Sequence, residues 1–93
     1  MPLTKISRNP IVYAAQIRAA RGLLNWSQGE LAERAGVSKQ SVTRIEIGAT
    51  DPRLSTMTAL NEAIRSAGVE LGDDVDGKVR LSISREKLLP PSD

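Results

Sequence analysis

Residues 27–48, SQGELAERAGVSKQSVTRIEIG, hold two helix starts and two helix stops in one short run. Ser27 followed by Glu30 is a capping box. The hydroxyl accepts from a backbone N–H of the first turn, and the Glu reaches back to the cap's own N–H. The helix it opens carries Leu31, Ala32 and Ala35 and stops at Gly36, a residue free to adopt the left-handed conformation of a helix end. Val37 fills the turn, Ser38 caps a second helix carrying Val42 and Ile45, and Gly48 ends that one in the same way. Helices this short bury little area separately, so they must pack on each other and on neighbours. Leu31, Ala35, Val37, Val42 and Ile45 are the expected contact set.

Lys39, Gln40, Thr43 and Arg44 are left outward on the second helix, at spacings that put them on one face. Those side chains suit the edges of base pairs. Arg bridges guanine O6 and N7, Gln bridges adenine N6 and N7, and a Thr methyl touches thymine.

Arg18 and Arg21, the run WSQGELAERAGVS, then SVTRIEIG and DPRLSTMTAL carry a resemblance to a known family. Residues 14–71, roughly two-thirds of the chain, resemble the lambda-repressor/Cro-type helix-turn-helix, the xenobiotic response element family of bacterial and phage regulators. Spacing, turn glycines and caps agree together, which a lone S-x-x-E would not provide. The resemblance implies a mainly α fold, a four- to five-helix lambda-repressor-like DNA-binding domain; the tail of this chain departs from that pattern and reads as a short C-terminal β-hairpin. It implies base-reading by Lys39, Gln40, Thr43 and Arg44, and phosphate binding by Gln28, Ser38 and Arg53, aided by helix N-termini that favour anions. It also implies that Arg21 pairs with Glu46, clamping the first helix to the motif and turning the guanidinium towards phosphate. Such a pair fixes geometry more than it adds stability, because desolvation offsets the Coulomb gain. Two positions depart from the pattern. Ile47 stands where relatives often carry a polar residue near phosphate, and Gly29 where a better helix former is usual.

The absence of Cys and His removes disulfides, thiolate chemistry, the commonest zinc ligand and the commonest general base. No carboxylate, Lys or Ser has a context that supports catalysis, so no enzyme is expected and no cofactor. No apolar run nears the ~18–20 residues of a membrane span. MPLTKISRNP lacks a signal peptide's apolar stretch, so the expected location is cytoplasmic. Residues 1–50 hold seven Lys/Arg against three acids, +4, and residues 51–93 hold six against eight, −2. A basic half beside an acidic one suits a polyanion-binding unit with an extension.

In chain order, residues 1–9 read as a flexible arm carrying Lys5 and Arg8. Asn9 then Pro10 starts a helix, with Ile17, Ala20 and Leu24 on one face and Asn25 as its left-handed end, although Gly22 is positioned to loosen it earlier. Trp26, just before the Ser27 cap, reads as packing rather than as a nucleic-acid contact. After Gly48, Pro52 disfavours helix at Asp51, Leu54 docks the loop, and Ser55 or Thr56 caps a further helix. Its stripe is Met57, Leu60, Ala63, Ile64 and Ala67, ended by Gly68; a fifth helical turn is possible within 49–54. The helix-turn-helix domain is thus set at residues 10–68.

Residues 69–83 alternate apolar and polar with period two around a Gly72-to-Gly77 turn, a short antiparallel hairpin. GDDVDG is not a calcium loop. With Gly77 as the loop's invariant glycine, Gly72 falls at the first ligand position and Ile83 at the closing Glu, so no metal is expected. Residues 84–93 read as a flexible tail. The hairpin's apolar side, Val69, Leu71, Val79, Leu81 and Ile83, exceeds what one small helical unit covers.

These features point to a sequence-specific double-stranded DNA-binding regulator, a repressor of bacterial or phage derivation, that inserts residues 38–47 in the major groove. Partners are duplex DNA and a second copy paired through the hairpin, since two recognition helices one turn apart are needed for specificity. The alternative is an antitoxin-type or other protein-interaction module that binds a partner protein through the hairpin.

Overall fold

Helix α1, Pro10–Leu24, begins where Asn9 accepts the Ile11 and Val12 N–H groups on its Oδ1 at 2.9 and 3.3 Å. It runs unbroken through Gly22 and ends at Asn25, whose φ of 57° is left-handed. In this computed structural model, residues 9–49, 51–73 and 78–88 are described. The expectations for the arm at residues 1–8 and for the turn at residues 74–77 lie outside them.

Helix α2, Gln28–Ala35, opens on the reciprocal capping box of Ser27 and Glu30, both bonds at 3.0 Å. It closes on Gly36 at φ 72°. Helix α3, Lys39–Glu46, opens where Ser38 Oγ accepts the Ser41 N–H at 3.0 Å, and the chain leaves it through Gly48 at φ 67°. Helix α4 is Leu54–Ser66. Tyr13, Ile17, Ala20, Leu24, Leu31, Val42, Ile45, Met57, Leu60 and Ile64 meet in one core. Trp26 packs half-buried at its edge, with the Arg34 guanidinium 4.5 Å from its ring centroid.

The start of α4 corrects the sequence reading. Its cap is Arg53, which makes no side-chain cap bond, and Ser55 and Thr56 fall inside the first turn. Pro52 is buried and brings the chain into α4 in an extended conformation, so tertiary anchoring places the start ahead of the better cap residues. Leu54 does not dock the loop; it is 52 % exposed. No helical turn occupies residues 49 and 51–53, the described part of that loop.

Strands β1, Val69–Asp73, and β2, Val79–Ile83, pair antiparallel, with Val69 opposite Ile83 and Leu71 opposite Leu81. A second correction concerns their apolar side. Val69 and Leu71 are buried in the core, and Leu81 and Ile83 pack against it; β1 lies on α4 and β2 on α1. Only Gly68 separates α4 from β1 in sequence after Ala67, so the hairpin turns back over the bundle, and Val79 alone of the five stays exposed. Face burial therefore gives no reason for a second copy or a partner protein to cover it. Two polar ties lock this arrangement. Tyr13 donates its hydroxyl to Asn61 Oδ1 at 2.8 Å, and burial pushes its phenol pKa up. Gln16 donates to the Gly72 and Arg80 carbonyls at 3.1 and 3.5 Å, joining α1 to both strands.

Over residues 84–88 the chain differs from the flexible tail expected over 84–93; residues 89–93 lie outside the described residues. Arg85–Lys87 forms a 3₁₀ turn that brings the Lys87 stem over Gly68. A Cβ at Gly68 would lie 2.7 Å from Lys87 Cγ, and its φ of 101° independently requires glycine.

Because Leu71 is core and Val79 is not, Leu71→Ala should cost about 2–4 kcal/mol of stability. Val79→Ala should stay within about 0.5 kcal/mol. Urea denaturation of both variants checks this; equal midpoints would mean that the hairpin is not part of the core.

Candidate nucleic-acid interface

Val42 and Ile45 turn α3 inward, and the opposite face carries Lys39, Gln40 and Arg44, all exposed. Thr43 sits at the border of that face, half-buried. Ser38 is exposed at the start of α3, where its Oγ also lies 2.8 Å from Ser41 Oγ. Arg53 is exposed at the start of α4. It shares a cleft of about 450 Å³ with Ser41, Arg44, Asp51 and Thr56, so the α3 face continues onto the following loop.

Behind this face, Glu46 is the meeting point of three elements. From α1, Arg21 donates Nε to Glu46 Oε2 at 2.5 Å and Nη2 to Oε1 at 2.8 Å, and its Nη1 to the Trp26 carbonyl at 2.9 Å. From α2, Gln28 donates Nε2 to Glu46 Oε1 at 3.0 Å. The Glu46 side chain is 3 % exposed, that of Arg21 22 %. Burial raises the Glu46 carboxyl pKa, but the hydrogen bonds from Arg21 and Gln28 and the charges of Arg21 and Arg18 outweigh it. The net result is below the ordinary carboxylate value. The same hydrogen bond to Glu46 raises the Arg21 pKa.

Sequence reasoning assigned no role to Arg18. It donates Nη1 to the Glu46 backbone carbonyl at 2.6 Å, closing the last turn of α3. The signal was available: Arg18 and Arg21 are three apart on one helix face, and cations suit helix C-termini. Gln28 was expected at phosphate. Both ends of its carboxamide are engaged within the protein, since its Oε1 accepts the Thr43 hydroxyl at 2.8 Å and one Nε2 proton goes to Glu46. Asp51, Ser41 and Thr56, which line the cleft beside Arg44 and Arg53, were also missed. Of the expected site residues, Lys39, Gln40, Arg44, Ser38 and Arg53 thus lie on one exposed surface. Arg21, Gln28 and Thr43 form the layer beneath it.

A family model described as helix-turn-helix matches residues 17–71, from the middle of α1 into β1. No curated protein matches the chain.

Arg21→Ala should destabilise the fold by about 3 kcal/mol, the low end for breaking a buried pair because Arg21 keeps some exposure. Thermal denaturation beside Arg44→Ala, an exposed control, measures it. Glu46 also sets a pH dependence. Its folded pKa lies below the unfolded value of 4.5, so its contribution is fully present above that value and is lost as pH falls through the folded pKa. Glu46→Gln should flatten this acid loss; an unchanged acid limb would assign it to other carboxylates.

Proposed function

The chain belongs to the helix-turn-helix family of the lambda-repressor/Cro type and is a DNA-binding regulator of that class; from this premise we propose that it acts as a sequence-specific repressor, laying α3 in the major groove of duplex DNA. The observation that carries this reading is the exposed set Lys39, Gln40 and Arg44 on a helix whose other side is locked into the core. Lys39 and Arg44 donate to guanine O6 and N7, Gln40 pairs with an adenine edge, and Thr43 meets a thymine methyl. Arg53 and Ser38 take phosphate oxygens on either side, and Arg21 turns its remaining N–H groups to the backbone. Occupancy of a promoter by such a unit is enough to block it, which makes repression the simpler output. The place of action is the cytoplasm of a bacterium, on its own or phage-derived operators.

Dimeric operator binding is part of this proposal. The hairpin's apolar face is covered, so a second copy would add at an outer edge of the two-stranded ribbon. Sedimentation of the full chain, together with the symmetry of sites selected from a random duplex pool, tests it. A dimer and half-sites one helical turn, about 34 Å, apart are expected. A monomer that selects a single half-site overturns the pairing.

Base and phosphate roles separate by their sequence profiles. Arg44→Ala should cost about 1–3 kcal/mol on the selected site and relax preference at one base pair, whereas Arg53→Ala should weaken all sequences alike and lower the salt slope by about one. Binding isotherms over a salt series decide; identical profiles would reverse the assignment, and no binding to any duplex at low salt would remove the reading.

A further inference from the structure

Gln28 joins the buried clamp to the exposed face of α3, and its orientation follows from chemistry. The Glu46 carboxylate only accepts, so the Gln28 amide must face it with Nε2, at 3.0 Å. That leaves Oε1 towards Thr43, at 2.8 Å, where it too only accepts. Thr43 must therefore donate. Its single hydroxyl proton is directed to Gln28 Oε1, with the Lys39 carbonyl, at 3.1 Å, as the other acceptor in reach. Both acceptors belong to the protein. Thr43 thus has no proton left for the acceptors of a base edge, guanine O6 and N7 or thymine O4, and one χ1 well is selected among the staggered three. What remains for a base is its methyl and an oxygen that only accepts, so to guanine and thymine, whose major-groove edges also only accept, Thr43 offers the methyl alone.

We propose that Gln28 is a positioning residue for base recognition: it holds Thr43 as a methyl-presenting reader whose preference is for the C5-methyl group of thymine. The path runs from Arg21 on α1 through Glu46 on α3 and Gln28 on α2 to Thr43, so the clamp that seats α3 also sets one of its readers. This inference rests on the major-groove reading above, from which it takes the duplex but not the role of Gln28.

The test replaces single thymines by uracil in the best selected site, which removes the methyl and nothing else. Wild type should lose about fourfold in affinity at one position, the worth of burying one methyl. Thr43→Ser should lose that discrimination, Thr43→Val should keep it, and Gln28→Ala should blunt it at the same position, read at a temperature where the variant is folded. Gln28→Ala weakening every sequence equally, with thymine–uracil discrimination intact, overturns the proposal and returns Gln28 to phosphate. Absence of discrimination at every thymine in wild type overturns the methyl reading while leaving DNA binding itself standing. An NMR measurement without DNA supplies an independent arm: three-bond couplings to the Thr43 methyl should report one rotamer in wild type. Averaging already in wild type overturns the proposal whatever the DNA results.

Discussion

The position of α3 depends on one buried carboxylate. Glu46 stands on the last turn of that helix, and the side chains that reach it come from α1 and α2. A charge taken out of water is costly, and it is tolerated here because Oε1 and Oε2 are both hydrogen-bonded and the nearest partner is a guanidinium, whose fork matches a carboxylate. The gain is geometric. Hydrophobic contacts of Val42 and Ile45 keep α3 on the bundle but permit sliding and rotation. A bidentate pair at one end of so short a helix removes that freedom.

The other wall of the molecule is set by polar contacts of α1. Tyr13 and Gln16 both lie in its buried face, and they reach α4 and the hairpin respectively. A buried amide or phenol is costly without a partner, so these bonds favour one docking of α4 and of the strands over sheared alternatives. Helix α1 thus holds α3 through arginines on one side and the hairpin through a glutamine on another. The hairpin becomes part of the bundle, which is why its alternating pattern marks core residues.

What was legible in the sequence was local. Asn9, Ser27 with Glu30, Ser38, Asn25 and Gly36 act within one helical turn of themselves, and each sits where a cap belongs. The outward face of α3 was legible for a related reason: Val42 and Ile45 set the inward direction, and the helical period does the rest. The start of α4 was not, because the burial of Pro52 is a tertiary event that outranks the cap preferences of Ser55 and Thr56. Nor was the covering of the hairpin, since period two says which residues share a side but not what lies against it. The destination of Gln28 was hidden for the same reason. Its partners are 15 and 18 residues away, on a different helix, and nothing next to it in sequence names them.

The two ends of α3 are built to opposite purposes. Its C-terminal end, where the backbone carbonyls concentrate partial negative charge, is occupied from behind: Arg18 takes the Glu46 carbonyl and Arg21 the Glu46 side chain. Just beyond it Ile47 is 69 % exposed, a side chain with nothing to offer a phosphate. At the N-terminal end, the helix dipole is positive, and Ser38, Lys39 and Gln40 crowd the first turn with hydrogen-bonding groups. On the proposed reading, attraction for a polyanion is therefore graded along α3. The helix would then meet the groove with its first turn leading, and Arg44 and Arg53, which share one cleft, extend the basic surface sideways onto the loop before α4. Asp51 lines the same cleft, and on the proposed reading its carboxylate would lower the attraction for any phosphate, so that more of the binding energy would come from the correct base edges.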